Sequence, residues 1–375
     1  MKFYYGDYNE YFSEETQYLD LLQKILKYGA VKGDRTGTGT HSLFGCDMRF
    51  DISGCSIPVV TTRKIKPLDP IIEMLWFIKG DTNIRFLKEH NINIWDSWVR
   101  EETKEFDAEG KLIAGSIGPG AYGAQWRRWE DTRIVLASEG AKYKQFGYEY
   151  VTNLHSPQGA IDRVVLTRTI DQLADAINAI KNNPDSRRIM VTAWNPGRFE
   201  DQALPACHFH HQYYTRDLTF SEKMDMIRFK ANHDAKLVAS LDRDELKDIV
   251  TEEDVAEFIK QHALPTKSLA LKLSCRSQDT PVGSSYNIIQ YAALAHMVAQ
   301  VTNTWATEFI WTSGDTHIYS NQVEGVETQL KRHSMSCDTK LILNPEIKNI
   351  DDFKPSDISV TDYKHHPFIK YPIAI

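Results

Sequence analysis

The chain has 375 residues, 42% of them hydrophobic and 25% charged, with 44 Lys and Arg against 51 Asp and Glu for a formal net charge of −7. That is a globular balance with no overall attraction for phosphate polymers or anionic membranes, so nucleic acid is not an expected partner and any anion must be held by a local cluster. Five widely spaced cysteines without a C-x-x-C pair, no basic-then-apolar leader and no apolar run long enough to cross a bilayer exclude a disulfide framework, a zinc finger and a membrane anchor, and predict a cytoplasmic protein.

At the start of the chain, Ser13 can cap a helix in which Tyr18, Leu22, Ile25 and Leu26 share a face and Gly29 supplies a stop. The loop Asp34-Arg35-Thr36-Gly37-Thr38-Gly39-Thr40 follows. Its amides and Arg35 could hold an anion, although a simple turn between helix and strand would look the same. In EMLWFIKGDTN, Glu73 lies among Met74, Leu75, Trp76 and Phe77, where burial would hold its carboxyl near neutrality and ready for proton transfer. The stretch from about 130 to 166 shows no clear period and reads as an insertion. Ile170, Leu173, Ile177 and Ile180, at spacings of three and four, then mark a helix ended by Pro184. Arg187 and Arg188 follow at the start of a strand, where adjacent side chains diverge and do not easily serve one ligand.

LPACHFHHQYY has the texture of a strand. Cys207 beside His208 invites a thiolate nucleophile, but neighbours on a strand face opposite ways, so nearby arginines are easier activators than His208. An inert buried cysteine fits these residues equally. His208 and His210 share a face, yet no third ligand stands at suitable spacing, so no metal is expected. Residues 216–267 are charge-rich, contain two short helical patterns, the second opened by Thr251-x-x-Asp254, and read as an insertion between paired strands.

In SLALKLSC, Leu269, Leu271 and Leu273 share one face of a strand that runs into Cys275-Arg276-Ser277-Gln278-Asp279 and then Gly283-Ser284-Ser285-Tyr286-Asn287, a polar concentration too dense for a core. Arg276, Arg35 and the Arg187–Arg188 pair together could supply the guanidinium forks that a phosphate monoester demands. Asn287 can donate and accept at once and so matches N3–H and O4 of uracil, while cytosine presents the reverse pattern; a helix N-cap is an equally natural role. IIQYAALAHMVAQV is apolar almost all round, which predicts a helix buried inside the domain. Near the end, His317 and Tyr319 alternate with Ile318 and could bracket a sugar hydroxyl. The expected fold is α+β, a single domain over residues 1–375 with a mixed sheet packed around a buried central helix and with insertions at about 130–166 and 216–267.

In order and over nearly the whole chain, DRTGTGTHSLFG, EMLWFIKGDTN, INIWDSW, YGAQWR, DSRRIMVTAWNP, ACHFHHQYY, RSQD, GDTHIYSN and the terminal YPIAI resemble the folate-dependent thymidylate synthase family. The resemblance implies a homodimer through the sheet and two substrates, dUMP and 5,10-methylenetetrahydrofolate. Cys207 would add to C6 of dUMP. Arg35, Arg276, Ser277 and Gln278 would meet the nucleotide, with Arg187 and Arg188 donated by the partner subunit. Asn287 would read uracil, Asp279 would face the pterin, and His317, Ile318 and Tyr319 would hold the sugar. Glu73, Tyr122 and His208 would manage protons. Trp95, Trp98, Gly283 and Tyr286 would line the folate site, Arg63, Lys64 and Lys66 would flank its glutamate tail, and the end of the chain, including Ala374, would cover it. Four departures from the family pattern stand on the folate side: Ala206 for Pro, Cys275 for Gln, Ser284-Ser285 for Leu-Pro, and one extra residue in GPGAYG. Transfer of hydride to give dTMP is the expected outcome. A wetter pocket built from Cys275, His210, Ser284 and Ser285 would instead give 5-hydroxymethyl-dUMP, and a nonenzymatic or RNA-binding protein on the same fold is the remote alternative.

Overall fold

The computed structural model describes residues 14–233, 249 and 251–373; the expected cap Ser13, most of the first helical pattern in 241–250 and Ala374 lie outside them. The strands that matter, in chain order, are β1 (Ala30–Lys32), β2 (Thr40–Asp51), β3 (Glu105–Phe106), β4 (Leu112–Ala114), β5 (Trp129–Leu136), β6 (Glu149–His155), β7 (Ile161–Ile170), β8 (Met190–Thr192), β9 (His208–Asp217), β10 (Lys267–Asp279) and β11 (Trp305–Tyr319). Six of them form one sheet in the order β1-β2-β11-β10-β9-β8. Only the β10–β11 pair is parallel, so the sheet is mixed.

Leu269, Leu271 and Leu273 are fully buried on one face of that sheet, as their alternation predicts. Against the core packs the helix Ser285–Thr302, buried along its length except at Tyr286 and Gln300. A helix apolar all round has no face to give to water, which is why it lies inside. It ends at Asn303, in the left-handed conformation, whose N–H caps the last carbonyls. Its start corrects one expectation. The helix begins at Ser285 after a π-helical turn, Thr280–Ser284, so Asn287 sits inside the first turn and is not an N-cap.

The helix Glu14–Tyr28 buries Tyr18, Leu22 and Ile25. It stops at Gly29, whose N–H donates to Ile25 O; a Cβ there would come within 2.4 Å of that carbonyl. The helix Gln172–Asn182 buries Leu173, Ile177 and Ile180, but Ile170 belongs to the end of β7, because the Asp171 carboxylate accepts from Ala174 N and starts the helix after it. Arg187 and Arg188 occupy an exposed turn rather than a strand, since β8 begins only at Met190.

Residues 129–170, where the sequence shows no period, hold a three-stranded antiparallel sheet ordered β5-β7-β6. Its core is small, built on Tyr148, Val164 and Leu166, so too few positions are apolar to print an alternation. In the second charge-rich stretch, β9 and β10 pair from Asp217 and Lys267 onward, and the helices Phe220–His233 and Glu252–Gln261 pack on Leu218 and Trp305. Thr251 and Asp254 form the expected capping box. No helix among the described residues is long and apolar enough to cross a membrane.

Candidate active site

Cys207 precedes β9 by one residue, and the β9–β10 pairing carries on past the ladder to reach it: Arg276 N donates to Cys207 O at 2.8 Å. That backbone bond sets the Arg276 guanidinium beside the thiol, with Nη2 3.5 Å from Sγ. The same guanidinium donates to Ala206 O at 3.0 Å and Pro205 O at 2.7 Å, so it also braces the loop that presents the sulfur. Burial pushes the Cys207 thiol above its ordinary value and Arg276 pulls the other way.

Tyr122, at the start of the helix Tyr122–Arg127, accepts from Cys207 N at 2.8 Å. His208 stacks under the Tyr122 ring at 3.9 Å and its Nδ1 pairs with Tyr291 OH at 2.7 Å. Burial pushes the His208 imidazole down to about 3, so it stays neutral and supports Tyr122 in place of taking the thiol proton.

Glu73, on the helix Leu68–Ile78, is buried as expected, and burial pushes its carboxyl up to about 7. Trp95 Nε1 donates to its Oε1 at 2.5 Å and Gln290 Nε2 to its Oε2 at 2.8 Å. Gln290 Oε1 in turn accepts from Asn287 Nδ2 at 3.1 Å. Gln290 escaped the sequence reading, although a fully buried amide one helical turn beyond Asn287 on an apolar helix was a visible signal.

β10 and β11 run in register through Ser277–Asp315, Gln278–Thr316 and Asp279–His317, which gathers the expected nucleotide residues at one end of the sheet. The His317 and Tyr319 rings meet edge to face at 5.0 Å, while Ile318 between them turns into the core. His317 Nδ1 lies 3.2 Å from Asp315 Oδ1. Arg35 is exposed in its loop. The loop amides expected to meet an anion are already used: Thr36 N and Gly39 N donate to the Asp34 carboxylate, each at 2.7 Å. Gly37 and Gly39 are glycines because both have φ near the left-handed region, 75° and 80°. Gln278 is buried with Oε1 unpartnered among the described residues, and its amide lies over Gly283, where a Cβ would come within 2.2 Å of Nε2.

Gln322 is a second residue missed. Fully buried, it donates through Nε2 to Asp279 Oδ2 at 3.0 Å and to Pro372 O at 2.9 Å, while its Oε1 accepts from Tyr319 N at 3.1 Å. One amide thus joins the end of β11, the Asp279 carboxylate and the Tyr371–Pro372 segment. Tyr371 is anchored next to it, donating to Gln329 Oε1 at 2.6 Å. Arg63 departs from expectation: it is buried and donates to Pro281 O and to Ser285 Oγ, at 2.5 and 2.7 Å, so it holds the turn before the central helix rather than a solvent-borne tail. Lys64 and Lys66 are exposed, Trp98 and Tyr286 half-buried.

The departures at positions 275, 284 and 285 are all buried. Ser284 is fully buried and donates to Thr280 O, Ser285 donates to Val282 O at 3.0 Å, and Cys275 is buried opposite His208. Arg187 and Arg188 are not brought to Cys207 by their own chain; both are exposed, with no partner for either guanidinium among the described residues. No group of three or more His, Cys, Asp or Glu among the described residues is placed to hold a metal.

A cysteine pressed by a guanidinium, joined through Tyr122 and Trp95 to a buried carboxyl that binds protons near neutrality, is the arrangement of a class of enzymes suited to covalent attack by sulfur together with proton transfer. Comparison with known proteins narrows the class. A sequence profile described as thymidylate synthase matches residues 16–242 and 249–375. The thymidylate synthase of Mycoplasma mobile is 37% identical over 376 residues, covering 96% of this chain and 99% of its own. Those of two Coxiella burnetii strains, Dugway 5J108-111 and RSA 331, are 34% identical over 359 residues, with the same coverage of 96% and 99%. The chain belongs to the thymidylate synthase family, transferases of one-carbon groups with methylenetetrahydrofolate as co-substrate.

Proposed function

We propose that this chain converts dUMP and 5,10-methylenetetrahydrofolate to dTMP and dihydrofolate. The observation that carries the reading is the 3.5 Å contact of Arg276 Nη2 with Cys207 Sγ, linked through Tyr122 to the Glu73–Trp95–Gln290–Asn287 relay. Cys207 adds to C6, which turns C5 into a nucleophilic enolate carbon. The folate supplies the one-carbon unit. C5 loses its proton as tetrahydrofolate is eliminated to leave an exocyclic methylene, and hydride from tetrahydrofolate then adds to that methylene as the Cys207 thiolate leaves C6, giving dTMP and dihydrofolate. Asn287 orients the uracil edge, and Glu73, binding a proton near neutrality, exchanges it with ring oxygen and carbon through water. Tyr122, braced by His208, fixes the backbone of the nucleophile. Trp95 and the anchored Tyr371–Pro372 segment close the folate side. Because the Ser284 and Ser285 hydroxyls are spent on backbone carbonyls, they do not hold a water at the pocket, which favours hydride over water for addition to the exocyclic methylene. Incubation with both substrates followed by mass analysis tests this: dTMP with dihydrofolate is expected, and a nucleotide one oxygen heavier with tetrahydrofolate would refute it.

The phosphate is held by Arg35 and Arg276 of one protomer and by Arg187 and Arg188 of its partner in a homodimer. Support comes from the exposed, unpartnered pair at the β8 edge of the sheet. Arg188→Ala and Cys207→Ala, each inactive alone, should on mixing as equal parts recover about a quarter of the wild-type rate, since half the dimers then carry one complete site. No recovery, with exchange of subunits verified, would place both arginines outside the site.

Gln322→Leu should lower turnover by about tenfold and weaken dUMP binding far less, because the Asp279 carboxylate loses a donor and Pro372 its tether while Tyr319 loses only an acceptor for its backbone N–H. Steady-state kinetics beside nucleotide titration separates the two effects.

A further inference from the structure

Two ends of the buried relay cannot reverse. The Trp95 indole N–H can only donate, so Glu73 Oε1 is an acceptor, and while Glu73 is ionised its Oε2 can only accept as well. Gln290 must therefore turn its NH2 to Glu73 and its carbonyl to Asn287, and Asn287 must turn its NH2 to Gln290. We propose that Gln290 is a specificity-determining residue: held in one orientation by the Glu73 carboxylate, its carboxamide locks the Asn287 amide in the sense that reads uracil and rejects cytosine. This rests on the reading of Asn287 as the uracil contact.

Cytosine offers a donor where uracil has O4 and an acceptor where uracil has N3–H, so binding it requires the Asn287 amide to turn over. Turned over, Asn287 Oδ1 would face Gln290 Oε1. Turning Gln290 as well would only move the clash, bringing Oε1 against the Glu73 carboxylate. Facing acceptors around a fully buried amide are poorly relieved by solvent, and Gln290 is fully buried. A proton on Glu73 Oε2 removes the obstacle, since the carboxyl O–H then donates to Gln290 Oε1 and the whole relay inverts. The lock is thus as strong as the charge on Glu73.

The groups around Glu73 leave it alone in this role. Tyr286 and Tyr291 on the central helix and Tyr122 beside Trp95 are phenols that burial raises, and His208 stays neutral above about 3.

The test is the ratio of dCMP to dUMP dissociation constants without folate, in which ionisation of the shared phosphate cancels. In the wild type it should fall by about tenfold from about pH 8 to about pH 6, as Glu73 gains its proton. Glu73→Gln, which carries a donor in place of the charge, should give a low ratio that no longer moves with pH. Gln290→Met, close in volume but unable to bond, should lower the ratio by about tenfold, with dUMP affinity within about threefold. A folded Gln290→Met protein that keeps the wild-type ratio overturns the lock. Should that variant fail to fold, a flat wild-type ratio that is unchanged in Glu73→Gln overturns it equally. The reading beneath is tested apart: Asn287→Asp should reverse the preference toward dCMP, and an unchanged ratio there would remove Asn287 from base recognition and the lock with it.

Discussion

Cys207→Ser stops product formation, by on the order of 10⁵-fold, while the protein still binds dUMP. Serine keeps the shape of the side chain but not its acidity. The wild-type thiol is already pushed upward by burial, and its ionisation relies on the guanidinium 3.5 Å away. An alcohol starts several units higher, and the same neighbours cannot make up that difference. Turnover assays and mass spectrometry with a fluorinated dUMP check the two halves: the wild type should gain the mass of the nucleotide at residue 207 and the serine variant none. Turnover above about a hundredth of wild type in the serine protein would mean that the sulfur is not the nucleophile.

Glu73→Gln is the second large effect, a loss of about 10²- to 10⁴-fold in turnover, the range expected when a positioned acid–base group is removed. It also carries two pH signatures. The limb of the wild-type rate profile governed by a group near 7 should vanish in the variant. Stability should change in a definite direction as well. The folded-state carboxyl lies above its unfolded value, so the native state holds the extra proton, and wild-type stability is full below about 4.5 and falls as pH rises toward about 7. Glutamine has no proton to lose. The melting temperature of Glu73→Gln relative to wild type should therefore be higher at alkaline than at acid pH. A constant difference across that range would show that Glu73 is not held protonated by its surroundings.

Much of the fold was legible because burial writes a period into the chain. Leu269, Leu271 and Leu273 on β10, the face of the helix Gln172–Asn182 and the all-round apolar helix Ser285–Thr302 each have one neighbour to satisfy, the core. The sheet of residues 129–170 was not legible, since a three-residue core leaves most of its positions facing water. Local boundaries also slipped. Asn287 looked like a cap because nothing local announces the π-helical turn that starts the helix earlier, and the Arg187–Arg188 pair looked extended because only the short β8 follows it.

The residues proposed to carry chemistry, Cys207, Glu73, Arg276, Asp279 and Asn287, were visible as polar or reactive types where a core should be, and the ordered motifs set them in a family. The sequence by itself determined which reactive groups exist, which segments must be buried and, for Glu73, that burial would hold its proton. It left open what joins them. That Arg63 is spent inside and that Gln290 and Gln322 tie distant segments together depend on side chains separated by tens to hundreds of residues. Hydrogen-bond partners are chosen by direction and distance in three dimensions, and a one-dimensional pattern records only what each residue needs, not which neighbour supplies it.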